Sequence, residues 1–393
     1  MNFEFMIFIV GYPYIGERHK RVFNFFKKKD DLVFILPEVW KMKNGKVVIR
    51  AELGGELKIV PAKTNFFHSH YPIIRGHLKG WMPAIKNILK KMAKSGDVLY
   101  TVSEPNLFGT YLNGKIADKL KLKHVIFTWQ NVAYRERLSG LKLKATELLI
   151  RKNIALSRGI ILGNSRALDV IRPYMPDQFP CLVSPVSGID TKQFKPGASS
   201  DFRAQYGLEN KTVVLFVGAL DYRKGIFKLV DVFAEAGKQE NSLHLFMIGS
   251  GPLDEELKKY VVERDMSESV TILPWIDNKD LPGYFSSSDI FIYPSQRYGG
   301  WEEQFGYSIA EASSSGLPVI STRTGSIEDL IVEDQTGMLV EPDDSAGMIS
   351  AMLKLARDPV LRKSMGEAGR EFIKNNFSHE IIAGKLENFL RAL

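Results

Sequence analysis

Cysteine is almost absent from this chain: Cys181 stands alone among 393 residues. A single thiol excludes an internal disulfide and suits a reducing compartment, so the expected location is cytoplasmic, at most on the inner face of the membrane. Long apolar runs are missing too, and none approaches the ~20 residues that cross a bilayer. The opening MNFEFMIFIV has no basic n-region and no small-residue cleavage site and runs straight into Gly11, so it reads as a buried first strand. Histidines number seven. His68 and His70 sit without cysteine or carboxylate at useful spacing, which makes a poor metal site. No Asp-x-Asp motif stands where it could hold a metal-bound nucleotide, so no metal and no cofactor is expected. There is no internal repeat and no low-complexity tract. Acidic residues are scarce in the first half alone: residues 1–185 carry 31 Lys and Arg against 14 Asp and Glu, whereas residues 186–393 carry 22 against 31. The net charge of +8 hides that split. Two readings stay open, an anionic partner for the basic half or a drift of surface charge for solubility.

What is present alternates. Short apolar runs and helical patterns follow one another through both halves, which predicts an α/β chain with parallel sheets covered on both faces. The expected strands are 3–10, 32–36, 98–101, 125–128, 160–162 and 182–184 in the first half. In the second they are 213–217, 245–248, 270–273, 290–293, 319–321 and 338–340. Pro, Gly and Ser gather over 185–200, where periodicity lapses. The expected division is therefore residues 1–185, residues 186–377, and a C-terminal amphipathic helix over 378–393 that packs back on the first domain. Two doubly wound domains of this kind hold ligands at the carboxyl ends of their strands.

The most informative stretch is EEQFGYSIAEASSSGLPVIST, residues 302–322. Glu303 precedes Gln304 and a Phe305-Gly306 pair that opens a helix, and Glu311 lies inside that helix with seven residues between the two acids. A helix N-terminus seats a diphosphate, and carboxylates on either side of it can accept hydrogen bonds from sugar and ribose hydroxyls. Earlier, LFVGALDYRKG (215–225) gives a strand, a turn at Gly218, and adjacent Arg223 and Lys224. Cations at a helix start oppose its dipole, so local stability does not explain them; neutralising a leaving diphosphate does. Trp275 follows a strand and fits either the border of a nucleobase or a packed loop.

Together these residues resemble glycosyltransferase family 4, the retaining, nucleotide-sugar-dependent enzymes of GT-B fold. The resemblance is strong over 184–345, where SPVSGIDTKQFKP (184–196) also looks like the family's interdomain segment, and loose before it. It implies two Rossmann-like domains facing each other across a cleft that closes on binding. It also implies that Glu303 contacts the donor sugar, Glu311 the ribose and Lys224 the diphosphate, with the Phe305-Gly306 backbone near the phosphates. Two departures stand out: Ala219 where the family has arginine, with Arg223 offered as its replacement, and Gln304 where the family has glycine.

In the first half, Gly11-Tyr-Pro-Tyr-Ile-Gly16 precedes a helix expected near Glu17 and would present amides, Gly16 among them, to phosphate or acceptor. Related enzymes often place a histidine where this chain has Thr128-Trp129-Gln130-Asn131; Gln130 or Asn131 could hold a sugar hydroxyl but cannot act as a general base. Residues 82–92 carry Ile85, Ile88, Leu89 and Met92 on one stripe, with Lys86, Lys90, Lys91 and Lys94 beside it. That pattern fits a core helix or a basic helix on an anionic membrane, and the core reading is favoured. Lys27-Lys28-Lys29 reads as a solvated helix end. The expected partners are a nucleotide-sugar donor and a glycan or lipid-linked acceptor, with anionic membrane contact through the basic domain left open and no nucleic acid. Two rivals remain: a sugar-nucleotide epimerase on the same fold, and a basic nucleic-acid-binding protein.

Overall fold

The computed structural model describes residues 5–41, 47–49, 57–64, 66, 77–198 and 202–393. His68 and His70 lie outside the described residues. The chain forms two compact units, Met1–Gly188 with His379–Leu393, and Ile189–Ser378. Each is built on one parallel sheet.

In the first unit the strands are β1 (Ile7–Val10), β2 (Leu32–Pro37), β5 (Lys58–Ala62), β6 (Val98–Thr101), β7 (Lys123–Thr128), β8 (Gly159–Leu162) and β9 (Cys181–Val183), with a small antiparallel ribbon of β3 (Val39–Lys41) and β4 (Val47–Ile49). The sheet order is β5-β2-β1-β6-β7-β8-β9, and every pairing is parallel. The chain therefore winds from β1 to one edge, then returns to the other side of β1 at β6. In the second unit β10 (Thr212–Val217), β11 (Leu243–Ile248), β12 (Val270–Leu273), β13 (Ile290–Tyr293), β14 (Val319–Thr322) and β15 (Gly337–Val340) take the order β12-β11-β10-β13-β14-β15. The reversal falls between β10 and β13.

Central strands read as unbroken apolar runs because helices cover both faces of a parallel sheet. Ile7–Val10 and Ile290–Tyr293 are buried at every position. Phe8, Phe216, Phe246 and Phe291 are fully enclosed, and truncating any one of them to alanine would cost about 3–5 kcal/mol. The stripe of the helix Ile85–Met92 belongs to the core: Ile85 and Leu89 are buried with Phe8, Val33 and Leu99, and Ile88 and Met92 pack against that cluster. The helix expected near Glu17 is only one turn, Glu17–Lys20, continued by a 3-10 turn over Arg21–Phe25. So short a helix gathers little dipole.

The last helix, His379–Ala392, is part of the first unit. The Glu387 carboxylate accepts from the backbone amides of Lys27 and Lys28 at 2.7 and 3.2 Å, and Arg391 pairs with Asp31 at 2.9 Å. The Lys27-Lys28-Lys29 run thus anchors a helix through its backbone. No helix among the described residues is long and apolar enough to cross a membrane.

Candidate active site

In doubly wound sheets the strands part where their order reverses, leaving a crevice beyond their carboxyl ends. In the second unit that place lies beyond Val217 of β10 and Tyr293 of β13, and charged side chains gather there. Lys224 donates to Oε2 of Glu303, and the Tyr293 hydroxyl donates to the same oxygen at 3.0 Å. Lys224 also sits over the Tyr293 ring, 4.8 Å from its centroid. The Lys224 and Glu303 side chains are 12% and 14% exposed, so the pair is largely withdrawn from water.

Burial works against both charges, and each partner overcomes it for the other. Burial would push the Glu303 carboxyl up, but Lys224 and the Tyr293 hydroxyl hold it below the ordinary carboxylate range. Burial would lower Lys224, but Tyr293 and Glu303 raise it. The Tyr293 phenol is pushed up by burial first and by Glu303 second, so it stays a donor.

Loops hold the pair in place. Ser321 Oγ donates to Tyr293 O at 2.6 Å, and Thr324 Oγ1 donates to Ser295 O at 2.9 Å. The Ser326 amide donates to Glu303 O at 2.9 Å. Gly325, at φ 60°, lies so close that a Cβ there would meet Glu303 O at 2.0 Å. Only glycine allows the two loops that approach.

Around the pair opens a pocket of about 130 Å³ lined by Arg223, Lys224, Ser295, Trp301, Glu302, Glu303 and Gln304. Arg223 pairs with Asp221 at 2.7 Å across a half-exposed surface. Phe305 is buried against Tyr307 and Phe377. Gly306, at φ 86°, begins the helix Tyr307–Ser314 and has no side chain with which to cap it. Glu311 is buried in that helix and accepts from Asn278 Nδ2 at 3.0 Å. Gly218 ends β10, its amide donating to Ile248 O at 3.0 Å. Trp275 is exposed, its backbone amide donating to Ser250 Oγ at 3.0 Å. The structure thus gathers Arg223, Lys224, Glu303 and Gln304 around one pocket, with Phe305, Gly306 and Glu311 following in the same stretch.

The remaining predicted residues belong to the first unit. Gly16 lies between two short helical turns. Gln130 and Asn131 are buried, and the Gln130 side-chain amide donates to Val132 O. Sequence reasoning missed two neighbours of these groups. Tyr293 reads as the end of a strand. Glu104, just past β6, accepts from Thr128 Oγ1 and from the Trp129 amide at 2.9 Å. Burial raises its pKa against those two hydrogen bonds and the nearby Arg137 and Lys79. A carboxylate directly after a buried strand, in SEPN, was the available signal. Among the described residues no group of three or more His, Cys, Asp or Glu could hold a metal ion.

The family model of glycosyl transferases group 1 matches residues 199–372. The GDP-mannose-dependent alpha-(1-6)-phosphatidylinositol monomannoside mannosyltransferase of Mycobacterium tuberculosis is 28% identical over 208 residues, 52% of this chain and 54% of that protein. The D-inositol 3-phosphate glycosyltransferase of an Arthrobacter species is 31% identical over 209 residues, 52% of this chain and 48% of that one. The chain spans about half the length of these curated relatives. Over 99% of the chain and all of the other, the structure superposes on Anabaena HepE in complex with UDP, with TM-score 0.73 at 15% identity. Sucrose-phosphate synthase from Thermosynechococcus elongatus gives 0.68 at 19% identity, covering 99% of this chain and 98% of that one. The fold is GT-B. Its α/β architecture of two Rossmann-like domains is the one the sequence predicts, and the GT-B likeness extends through the first unit, where the sequence resemblance was loose.

Proposed function

We propose that the chain is a retaining glycosyltransferase of family 4, moving a sugar from a nucleotide-diphosphate donor to an acceptor hydroxyl in glycan, glycolipid or cell-surface polysaccharide synthesis. The observation that carries this reading is the Lys224–Glu303 pair, tied by Tyr293, at the point where the second sheet reverses. Further support comes from the match to group 1 glycosyl transferases over 199–372, and from relatives named as GDP-mannose-dependent mannosyltransferase and inositol phosphate glycosyltransferase.

In this reading Lys224 and Arg223, with the amides after Phe305 and Gly306, take the diphosphate and supply the positive charge in place of a metal. Glu303 accepts from hydroxyls of the donor sugar, Gln304 adds an amide contact, and Glu311 accepts from the ribose. Gly218 lets the backbone come near the nucleotide, and Trp275 borders the base. The bond from the anomeric carbon to the phosphate oxygen breaks as the acceptor oxygen bonds to that carbon on the same face. The acceptor's proton passes to the departing phosphate, so no protein base is required. Gly16 serves the donor through its backbone amide, and Gln130 and Asn131 serve the acceptor and sugar side.

The acceptor is a glycan or a lipid-linked sugar rather than a nucleic acid, and the basic first unit meets an anionic membrane at its inner face. Support for that contact is a pocket of about 510 Å³ with apolar walls from Trp81, Leu112 and Ile116, where Lys86, Lys90, Lys115 and Lys119 outnumber the one carboxylate, Asp118. Lysines spaced i,i+4 repel one another, and an anion among them offsets that repulsion.

A thermal-shift panel of UDP-, GDP- and ADP-sugars tests the donor site. The cognate donor at about 100 times its dissociation constant should stabilise by ~2.7 kcal/mol. Glu311→Ala should abolish the shift. Glu303→Ala should weaken discrimination between sugars while bare nucleotide diphosphate still binds. Unchanged binding of every donor by both variants would refute the assignment.

A further inference from the structure

We infer that Tyr222, Tyr298 and Trp301 form a carbohydrate platform at the rim of the Glu303 pocket, so that the accepting hydroxyl arrives on a pyranose ring. The inference rests on the proposed transfer reaction and names the substrate class of the same site.

The platform is a built feature. Tyr298 and Trp301 exchange both backbone hydrogen bonds, at 3.1 and 3.0 Å, around Gly299 and Gly300 at φ 58° and 75°. Two central residues in the left-handed region make the tight hairpin turn that matches strand twist. Residues paired across such a ribbon present their side chains on one face. The turn is pinned at its base, where the Gln296 amide donates to Arg223 O at 2.8 Å and its side chain donates to Tyr222 O at 2.7 Å. The Tyr222 and Tyr298 rings stack with centroids 5.3 Å apart.

Despite this ordering the three side chains remain 40%, 53% and 47% exposed. Aromatic area held rigid yet left in water marks a contact surface rather than a core. Trp301 also lines the pocket that holds Lys224 and Glu303, which ties the platform to the reacting end of the site. A pyranose suits it, because one face of the ring is a plane of C–H bonds that lies on an aromatic surface, while its hydroxyls project sideways. Glu302 on the same pocket wall, paired with Arg297 at 3.7 Å, has a second carboxylate oxygen with which to take those hydroxyls.

The test is saturation-transfer NMR with millimolar methyl α-D-mannopyranoside and methyl α-D-glucopyranoside, with and without UDP or GDP. One glycoside should receive saturation at its ring C–H protons. Trp301→Ala and Tyr298→Ala should each lower the signal about fivefold or more, Trp301→Phe should restore most of it, and Phe108→Ala on the first unit should leave it unchanged. Thermal shifts by UDP and GDP should survive in Tyr298→Ala, which lies outside the lining of the Lys224–Glu303 pocket. Equal glycoside signals in parent and Trp301→Ala, no glycoside signal in the parent under any condition, or a Trp301-dependent signal from free nucleosides instead would each overturn the platform. A parent that binds glycosides but is stabilised by no nucleotide diphosphate would instead sink the transfer reaction, so the two failures are told apart.

Discussion

The two units reverse their strand order in the same way, yet they furnish the two reversal points differently. In the second unit, beyond β10 and β13, a carboxylate is held charged by a lysine and a phenol beside an open pocket of about 130 Å³. In the first, beyond β1 and β6, Tyr12, Trp81 and Asn113 close the gap to about 10 Å³, and the nearby Glu104 is bound by neutral donors. Burial then has opposite outcomes: Glu303 is pulled below the usual carboxylate range and Glu104 is pushed above it. Topology provides the place, while a cation at contact distance decides whether a buried carboxylate there keeps its charge.

The sharpest way to break the contrast is to remove the cation. Lys224→Ala should lower sugar transfer at least about 100-fold and cost about 3 kcal/mol of stability, because it strands a buried carboxylate. Chemical denaturation and initial-rate assays check both. The double variant Lys224→Met/Glu303→Gln should lose less stability than the two single changes added together, the sign of a coupled pair.

Acid should expose a feature the units share. His124 on β7 contacts Thr101 Oγ1 at 3.0 Å, and His244 on β11 contacts Thr271 Oγ1 at 2.9 Å. Burial, the main cause for each, depresses both imidazoles to about 4. A lowered folded pKa gives stability that is present above the unfolded value of 6.5 and is lost as pH falls through about 4. For the enclosed His124 the loss is on the order of 3 kcal/mol, and somewhat less for His244. Melting between pH 7 and 4 should show the fall, and His124→Gln should flatten it. Glu303 adds its own loss at still lower pH, since its pKa is depressed below the carboxylate range.

Glu104 should behave in the opposite sense. Its raised pKa means that its favourable contribution is complete below the unfolded value and is lost as pH rises through the folded one. Glu104→Gln should therefore improve stability more at pH 7 than at pH 4, read from denaturation midpoints. The smallest effect is expected at Arg223, whose pair with Asp221 is half exposed. Arg223→Ala should change stability by less than about 0.5 kcal/mol, so any loss of donor binding there reports on the ligand.

The fold was largely legible because burial on two faces writes strands as apolar runs. Val98–Thr101, Val270–Leu273 and Ile290–Tyr293 stand where periodicity places them, and most other strands differ by one or two residues. β5 was not legible: KIVPA is an edge strand, half exposed and broken by Pro61, so it carries neither an apolar run nor an uninterrupted ladder. The division expected after residue 185 falls after Gly188, since Val186 and Ser187 still bond into the first unit through Tyr14 Oη and Arg18 O. At the candidate site, spacing singles out Glu303, and a cation that opposes a helix dipole singles out Lys224, and the structure pairs the two side chains. Tyr293 and the aromatic turn do not stand out in the sequence, because a strand-end tyrosine and an RYGGW loop join the Glu303 cluster only through contacts between loops distant in sequence.

In the proposed reaction Lys224 and Glu303 grip a nucleotide-diphosphate sugar on the second unit. Calorimetric titration of UDP, GDP and ADP into the parent and Lys224→Met tests it most directly. One nucleotide should bind the parent, and Lys224→Met should weaken it about 100-fold, the loss of a charge-assisted contact to a partly desolvated phosphate. Equal affinity in the two proteins, or no binding of any nucleotide to the parent, would contradict it.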